Sequence, residues 1–368
     1  MSLTDIDTNA DIDQTEPFAC TAHVAPEGFQ ISQDTVNDFN GSLNLADRLV
    51  KLEDYFEKTL TYYRFRKRVF DVLAMREARL RTGKTEQKGA VLIGPAGAGK
   101  SRIASEIIKE HHALTQHSGN WRFGTRILSV VIPGRSTIKE SLTAILKAIG
   151  YQVNGRRDEA YLTALVTQFL KEYRIAALHL DEVQDSGRYK TKDSVEAFLK
   201  IFRNMMQDKE WPVCLIMTAT PEARHLVNLD GPLQRRLRPM DMSPMTFETD
   251  EKVLRKTLMR LFHDAGISDT GILSLDEFIR ILIHASAGRF GVAIEMAIEA
   301  IGECLCDSDD TIDMGHFADA YEIRMDCDEE LNPFVAEHWS VIDTLKALQR
   351  YEEERQVTRR RPKCKHSA

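Results

Sequence analysis

Eight consecutive residues near position 100 have the types and the spacing of a phosphate-binding loop. The run Gly-Pro-Ala-Gly-Ala-Gly-Lys-Ser fits the pattern GxxxxGK[ST]. Glycines let the backbone wrap a phosphate without Cβ clashes, and the lysine and the hydroxyl suit the β- and γ-phosphates and Mg²⁺. We therefore predict a site for ATP and Mg²⁺, with Lys100 on the phosphates and Ser101 on the metal ion. Its residues are Gly94, Pro95, Ala96, Gly97, Ala98, Gly99, Lys100 and Ser101.

A second candidate group is a pair of carboxylates. Asp181 and Glu182 directly follow the apolar stretch 176–180, which is typical of a buried strand. Carboxylates at the end of a parallel strand lie at the sheet edge where ligands bind. We expect Asp181 to hold Mg²⁺ and Glu182 to polarise the attacking water, so that ATP is hydrolysed to ADP and phosphate. His179, inside the stretch, is predicted to be a core residue.

The elements that position these residues alternate between short apolar runs and helical stretches. The pattern predicts strands at 90–93, 127–132, 176–180 and 213–218, and helices at 101–112, 138–149, 161–173 and 195–206. Short buried strands separated by helices indicate an α/β fold, with a parallel sheet flanked by helices. The phosphate-binding loop then follows the first strand and opens a helix.

Five regions are predicted along the chain. They are an acidic disordered arm (1–40), an N-terminal helical segment (41–87), the P-loop core (88–243), a small all-helical domain (244–325) and a charged C-terminal tail (326–368). Within the N-terminal helical segment, the stretch 54–80 is predicted to be helical. In the small all-helical domain, helices are expected at 250–265, 274–287, 291–305 and 314–325, and Ser274 with Glu277 fits a capping box.

Charge and composition restrict the protein class. The net charge is −7, but residues 1–40 carry eight acidic and no basic residues, which leaves the remainder at +1 and permits a basic face for nucleic acid. No apolar run approaches about 18 residues, so no membrane span is expected. The N-terminus has no basic residue followed by an apolar stretch, so no signal peptide is expected. The six cysteines do not have the spacing of a zinc site. These features predict a cytoplasmic protein.

The order of the motifs resembles that of the AAA+ ATPases. Along the chain there follow one another the phosphate-binding loop, the Asp-Glu strand, a polar strand end, the arginine pair and the helical region. Three strings are similar to those of the TniB/TnsC-type transposition ATPases: Leu-Asp-Glu-Val-Gln at 180–184, Ala-Thr-Pro-Glu-Ala at 219–223 and Leu-Gln-Arg-Arg-Leu at 233–237. The resemblance implies a P-loop AAA+ core with a small all-helical lid.

The resemblance also implies roles for four further positions. Thr220 corresponds to the γ-phosphate sensor of the core, with Thr218 as the alternative. Arg235 or Arg236 corresponds to the arginine finger that reaches a neighbouring subunit's ATP, and Arg289 corresponds to the lid sensor. Each of these positions also has a purely structural interpretation: a helix cap for the threonine, a surface ion pair for the finger arginine and a solvated helix end for Arg289.

Family members assemble as rings or helical filaments on double-stranded DNA. In them, DNA-contacting residues follow the second core strand, which here gives Arg135, Ser136, Thr137 and Lys139. Phosphate contacts by such side chains are one reading, and an ordinary loop with a helix cap is the other.

The leading hypothesis is an ATP-dependent, DNA-binding homo-oligomer that marks target DNA for transposition. It would recruit or activate a transposase, and target-selection proteins are expected as further partners. One alternative is a helicase loader or replication initiator of the same superfamily. Another is a signalling ATPase that acts on proteins without DNA; salt-sensitive duplex binding that requires ATP would exclude it.

Overall fold

The structure is a computed structural model that describes residues 33–117, 119, 121–133, 137–183, 192–224 and 231–359. The chain divides into two units, Met1–Asp47 and Arg48–Ala368. The described elements are α1 (Gln33–Glu53), α2 (Leu60–Arg81), β1 (Gly89–Ile93), α3 (Lys100–Gln116), β2 (Arg126–Val131), α4 (Ile138–Ile149), α5 (Glu159–Glu172), β3 (Ile175–Asp181), α6 (Lys192–Met205), β4 (Cys214–Ala219), α7 (Gly231–Gln234), β5 (Leu237–Asp241), α8 (Phe247–Ala265), β6 (Ser268–Asp269), α9 (Asp276–Ala285), α10 (Phe290–Cys306), β7 (Thr311–Ile312), α11 (Met314–Met325) and α12 (Thr344–Arg359).

Five parallel strands form the main sheet in the order β2-β3-β4-β1-β5. Every residue of β1, β3 and β4 is buried, because helices cover both faces of the sheet. Side chains of β1 alternate between the faces: Leu92 packs in the core formed with α2 and α3, and Val91 packs in the core formed with α4, α5 and α6. The predicted parallel sheet flanked by helices is confirmed.

The fifth strand, β5, was not predicted from the sequence. It lies at the sheet edge beside β1, and only Leu237 of its five residues is buried. Pro239 interrupts its apolar character, and an edge strand is one of the few places in a sheet where proline is tolerated. A strand with this little buried surface gives no apolar run, so only the completed sheet reveals it.

The predicted helix at 54–80 is wrong at its start. The structure ends α1 at Glu53 and begins α2 at Leu60, where the Thr59 hydroxyl caps the new helix by accepting from the Tyr62 N–H (3.3 Å). On α2, Tyr62 faces the core and Tyr63 is 53% exposed.

Helices α8 to α11 pack around a separate apolar core that includes Leu258, Phe278, Met296 and Phe317. Short 3₁₀ turns at Glu329–Leu331 and Trp339–Val341 lead to α12, whose Leu348 is 1% exposed in the same core. The helices expected at 250–265, 274–287, 291–305 and 314–325 are present with ends shifted by up to three residues.

The predicted capping box of Ser274 and Glu277 is wrong. Ser274 ends the 3₁₀ turn Ile272–Ser274, and its hydroxyl donates back to the Gly271 carbonyl (2.6 Å). Helix α9 begins one residue later, at Asp276, with Leu275 as its N-cap, which has no side-chain oxygen. The Glu277 carboxylate instead accepts from the Trp339 indole (2.7 Å).

No single helix in the described ranges is long and apolar enough to cross a membrane. Only α9 and α10 together pass a test of length and composition, and they meet at a bend of 111°.

Candidate functional site

The loop between β1 and α3 brings backbone N–H groups to the carboxyl edge of the sheet. Its first residue is held by the adjacent strand, because the Gly94 N–H donates to the Ala219 carbonyl (3.1 Å). Gly99, the N-cap of α3, has a φ of 88°, a left-handed conformation that glycine adopts without a Cβ penalty. Helix α3 therefore begins at Lys100 with its N-terminus directed into the loop, where the helix dipole favours an anion.

Lys100 is a buried cation inside this loop. Its side chain is part of a residue only 4% exposed, and Nζ donates to the Pro95 carbonyl (2.8 Å). Burial lowers the pKa of Lys100, while the nearby carboxylates of Glu182 and Asp181 oppose that shift. The neutral carbonyl is a weaker partner for this cation than a phosphate would be.

The two predicted carboxylates lie where β3 ends. Asp181 is its last residue and is 8% exposed, and Glu182 follows with a φ of 56°, an uncommon backbone conformation for a side chain of this size. The Glu182 N–H donates to Asp181 Oδ1 (3.1 Å). This turn directs the two neighbouring carboxylates differently, so Glu182 lines the cleft described below and Asp181 lies against β4.

A buried hydrogen-bonded chain runs behind Asp181. The Thr218 hydroxyl donates to Asp181 Oδ1, so it accepts from His179 Nε2 (3.1 Å), and Ser129 Oγ lies 2.8 Å from His179 Nδ1. Burial lowers the pKa of His179 to about 4, so the ring is neutral at pH 7. His179 is a core residue as predicted, but it also links three strands.

The candidate sensor threonines occupy different places. Thr218 is within β4 and fully buried, and its hydroxyl belongs to the Asp181 chain. Thr220 is 9% exposed and follows the end of β4. Ala219 lies between them, opposite Ile93 of β1, so Thr220 comes beside the first residue of the phosphate-binding loop. Thr220 therefore lies nearer to the phosphate-binding loop than Thr218 does.

The helical domain closes over the loop at the start of α10. An ideal Cβ on Gly291 would lie 2.2 Å from the Gly97 carbonyl oxygen, so the two backbones are in direct contact. Arg289 is the N-cap of α10 and is 5% exposed. Its guanidinium donates to the carboxylate of Glu352, in α12.

These parts enclose a cleft of about 800 Å³. The predicted residues that line it are Pro95, Ala96, Gly97, Ala98, Gly99, Lys100, Ser101, Glu182 and Arg289. Its further walls are 242–245, between sheet and helical domain, and residues 55–57 and Thr59, between α1 and α2. Among the described residues no group of three or more His, Cys, Asp or Glu side chains could hold a metal ion. Mg²⁺ commonly binds instead through one or two protein oxygens and phosphate.

Arg235 and Arg236 do not lie at this cleft. They precede β5, and the Gly89 N–H at the start of β1 donates to the Arg236 carbonyl (3.1 Å). The loop follows the other end of β1, roughly 17 Å away for a five-residue strand. Arg236 is engaged within the chain, with Pro232 O (2.5 Å) and Glu86, whereas Arg235 is exposed.

The four candidate DNA-binding residues are only partly described. Arg135 and Ser136 lie outside the described residues. Thr137 is the N-cap of α4 and forms a capping box with Glu140, so its hydroxyl accepts from the Glu140 N–H (3.2 Å). Lys139 is exposed on the first turn of α4.

Sequence reasoning missed Ser129, the linking role of His179, and Glu352. Ser129 and His179 are separated by 50 positions, and Arg289 and Glu352 by 63. No local motif marks either pair, because each contact forms only when distant elements pack.

Comparison with known proteins supports the same fold. Residues 83–227 match a family model described as AAA domain. No curated protein sequence matches the chain. The Aeropyrum pernix Orc1 protein, solved in complex with DNA, has 18% identity and a TM-score of 0.57, over 84% of this chain and 81% of that one. The Aeropyrum pernix Orc2 protein, solved as ADPNP–ADP complexes, has 13% identity and a TM-score of 0.54, over 73% and 70%. The chain therefore has the P-loop fold of the AAA+ ATPases, and its residues 83–227 are similar to an AAA domain.

Proposed function

We propose that this chain is a cytoplasmic, oligomeric ATPase that binds double-stranded DNA when ATP is bound and regulates DNA transposition. The observation that carries the ATPase part is the meeting of the phosphate-binding loop, Glu182 and Arg289 at one cleft. Lys100 supports it, because this buried cation donates to a neutral carbonyl at a position where a phosphate would be a stronger acceptor.

Each part of the cleft has a proposed role. The backbone of 94–101 and Lys100 hold the phosphates, and Ser101 and Asp181 hold Mg²⁺, which neutralises charge on the phosphates. Glu182 orients and deprotonates the attacking water. Thr220 and Arg289 contact the terminal phosphate from the core and from the helical domain.

The site is proposed to be completed by a neighbouring subunit. A guanidinium stabilises the charge that spreads over the transferring phosphoryl group. Arg235 fits this role better than Arg236, because it is exposed and far from its own cleft, whereas Arg236 is held by Glu86 and Pro232. A head-to-tail contact of this kind generates a ring or a helical filament.

The transposition role rests on the TniB/TnsC-like strings at 180–184, 219–223 and 233–237. In this proposal the ATP-bound oligomer marks target DNA, recruits a transposase and target-selection proteins, and is disassembled by hydrolysis. An initiator or helicase-loader role is the second candidate, and the likeness to the DNA-bound Orc1 protein favours it.

The first experiment measures duplex-DNA binding with ATP, with ADP and without nucleotide. We expect wild-type protein to assemble on the duplex only with ATP, and Lys100→Ala to fail. Lys109→Ala is the matched control, because Lys109 lies in the same helix but is exposed and pairs with Glu106 (2.8 Å). Binding that ignores nucleotide, or no binding to DNA, would contradict the proposal and favour a protein-directed signalling ATPase.

A second assay separates the two DNA-linked candidates. Stimulation of transposase-mediated strand transfer by the ATP-bound protein supports the transposition role. Loading of a replicative helicase onto DNA without such stimulation supports the loader instead.

A further inference from the structure

Helix α12 packs against the helical domain along residues 344–352, with contacts near the start and near the end of this stretch. Near its start, the Thr344 hydroxyl donates to the His284 carbonyl (2.7 Å). Leu348 is buried in the core, and Arg350 donates to the Met325 carbonyl (2.7 Å). These contacts fix the helix so that its next turn faces the cleft.

One residue of that turn lines the cleft, and the next pairs with a residue that lines it. Tyr351 lines it, with the Arg324 guanidinium 5.2 Å from the ring centroid. Glu352 accepts a charge-assisted hydrogen bond from Arg289. The Arg289 side chain is 5% exposed and that of Glu352 is 29% exposed, so the pair is shielded from water at the arginine end.

The charge of Glu352 also acts on Lys100, after those of Glu182 and Asp181. It is one of the carboxylates that raise the pKa of Lys100 against the effect of burial. The Glu352 carboxylate therefore pairs directly with Arg289, one of the two cations proposed to bind phosphate. At Arg289 it supplies the negative charge that a nucleotide's terminal phosphate would supply.

We infer that Glu352 competes with the terminal phosphate of ATP for Arg289, and that ATP releases the cleft-facing turn of α12. The inference rests on the proposed ATP site. ATP is a stronger competitor than ADP, because it carries an additional phosphate group and more negative charge. Glu352 thereby lowers the affinity of the site for ATP and couples nucleotide state to the position of α12.

The test uses the full chain with Glu352→Gln, which removes the charge and keeps the side-chain shape. Glu330→Gln is the matched control, because Glu330 is exposed and lies outside the cleft. Fluorescence titrations should show that Glu352→Gln binds ATP about three- to tenfold more tightly than wild type, with a smaller gain for ADP. The reason is that the state in which Glu352 pairs with Arg289 lowers the apparent affinity for nucleotide in proportion to its population. The control should bind as wild type.

Hydrogen exchange and a double-mutant cycle identify the mechanism. In wild type, residues 344–352 should lose protection with ATP but keep it with ADP. In an Arg289→Ala background, Glu352→Gln should no longer change ATP affinity, because the arginine for which Glu352 and ATP compete is absent.

Two results would overturn the inference, and they are distinguishable. If Lys100→Ala abolishes nucleotide binding but Glu352→Gln binds ATP no more tightly than wild type, the proposed site stands and the competition is refuted. If wild type, Glu352→Gln and Lys100→Ala all fail to bind nucleotide, the proposed ATPase function fails, and this inference fails with it.

Discussion

Thr218 donates a hydrogen bond to Asp181, across the neighbouring strands β4 and β3. The Glu182 N–H reaches the same oxygen, Oδ1, so two donors orient this carboxylate. Thr218 in turn accepts from His179. The orientation of the proposed metal-binding carboxylate is thus fixed by buried residues that do not line the cleft.

Replacing Thr218 with valine should therefore impair hydrolysis more than binding. Valine has the same shape but no hydroxyl, so Asp181 keeps only the Glu182 N–H as a donor and His179 Nε2 loses its acceptor. A buried polar group left without its partner costs about 1–3 kcal/mol. We expect kcat for ATP to fall about tenfold, with ATP affinity within about threefold of wild type. Thr218→Ser should restore the rate, because it restores the hydroxyl. A fully active Thr218→Val enzyme would show that this bond does not position Asp181.

Gly291→Ala tests the contact between α10 and the phosphate-binding loop. The added Cβ would lie 2.2 Å from the Gly97 carbonyl oxygen, so the helical domain must move away. Such overpacking typically costs about 1–3 kcal/mol, and we expect a lower thermal midpoint and ATP binding weakened about tenfold. Gly302→Ala, in the same helix, is the control. Its Cβ would lie 3.3 Å from a flexible Leu49 side-chain atom, and both properties should change little.

The two arginines before β5 should behave differently when each is replaced by alanine. Arg235→Ala should keep its thermal midpoint and lose about 100-fold or more in ATP hydrolysis. Arg236→Ala should lose stability, because contacts with Glu86 and Pro232 disappear. Mixing Arg235→Ala with Lys100→Ala subunits should restore activity, since the second supplies an intact finger to the first. The reverse pattern would assign the finger to Arg236.

Stability should fall on acidification because of His111. Burial lowers its pKa from the ordinary 6.5 to about 4, with the ring between Phe70 and Trp121 and Nε2 donating to Thr125 O (3.0 Å). Below pH 6.5 the unfolded chain therefore binds a proton that the folded chain excludes until about pH 4. The free energy of unfolding should decrease across this window, by on the order of 3 kcal/mol from this residue.

Urea unfolding of wild type and His111→Gln between pH 4 and pH 7 measures this contribution. Glutamine retains an N–H donor but does not titrate, so the variant should show a shallower loss of stability on acidification. An identical pH dependence in the two proteins would show that His111 does not contribute.

The sequence by itself determined the elements whose signals are local. The phosphate-binding loop needs eight consecutive residues, the Asp181–Glu182 pair follows directly from its apolar strand, and the buried strands produce continuous apolar runs. Helix α4 even has the predicted bounds, because a capping box at Thr137 and Gly150 at the C-cap fix both of its ends. Local chemistry was sufficient for each of these.

Only the tertiary structure decided features that depend on distant partners. β5 is a strand because β1 offers it an edge, and Arg236 is held within the chain because Glu86 lies opposite. Arg289 meets Glu352 only after α10 and α12 pack on one core. Long-range contacts such as these are made by hydrogen bonding and packing between separate elements, and no periodicity or spacing in the sequence encodes which partner each residue will find.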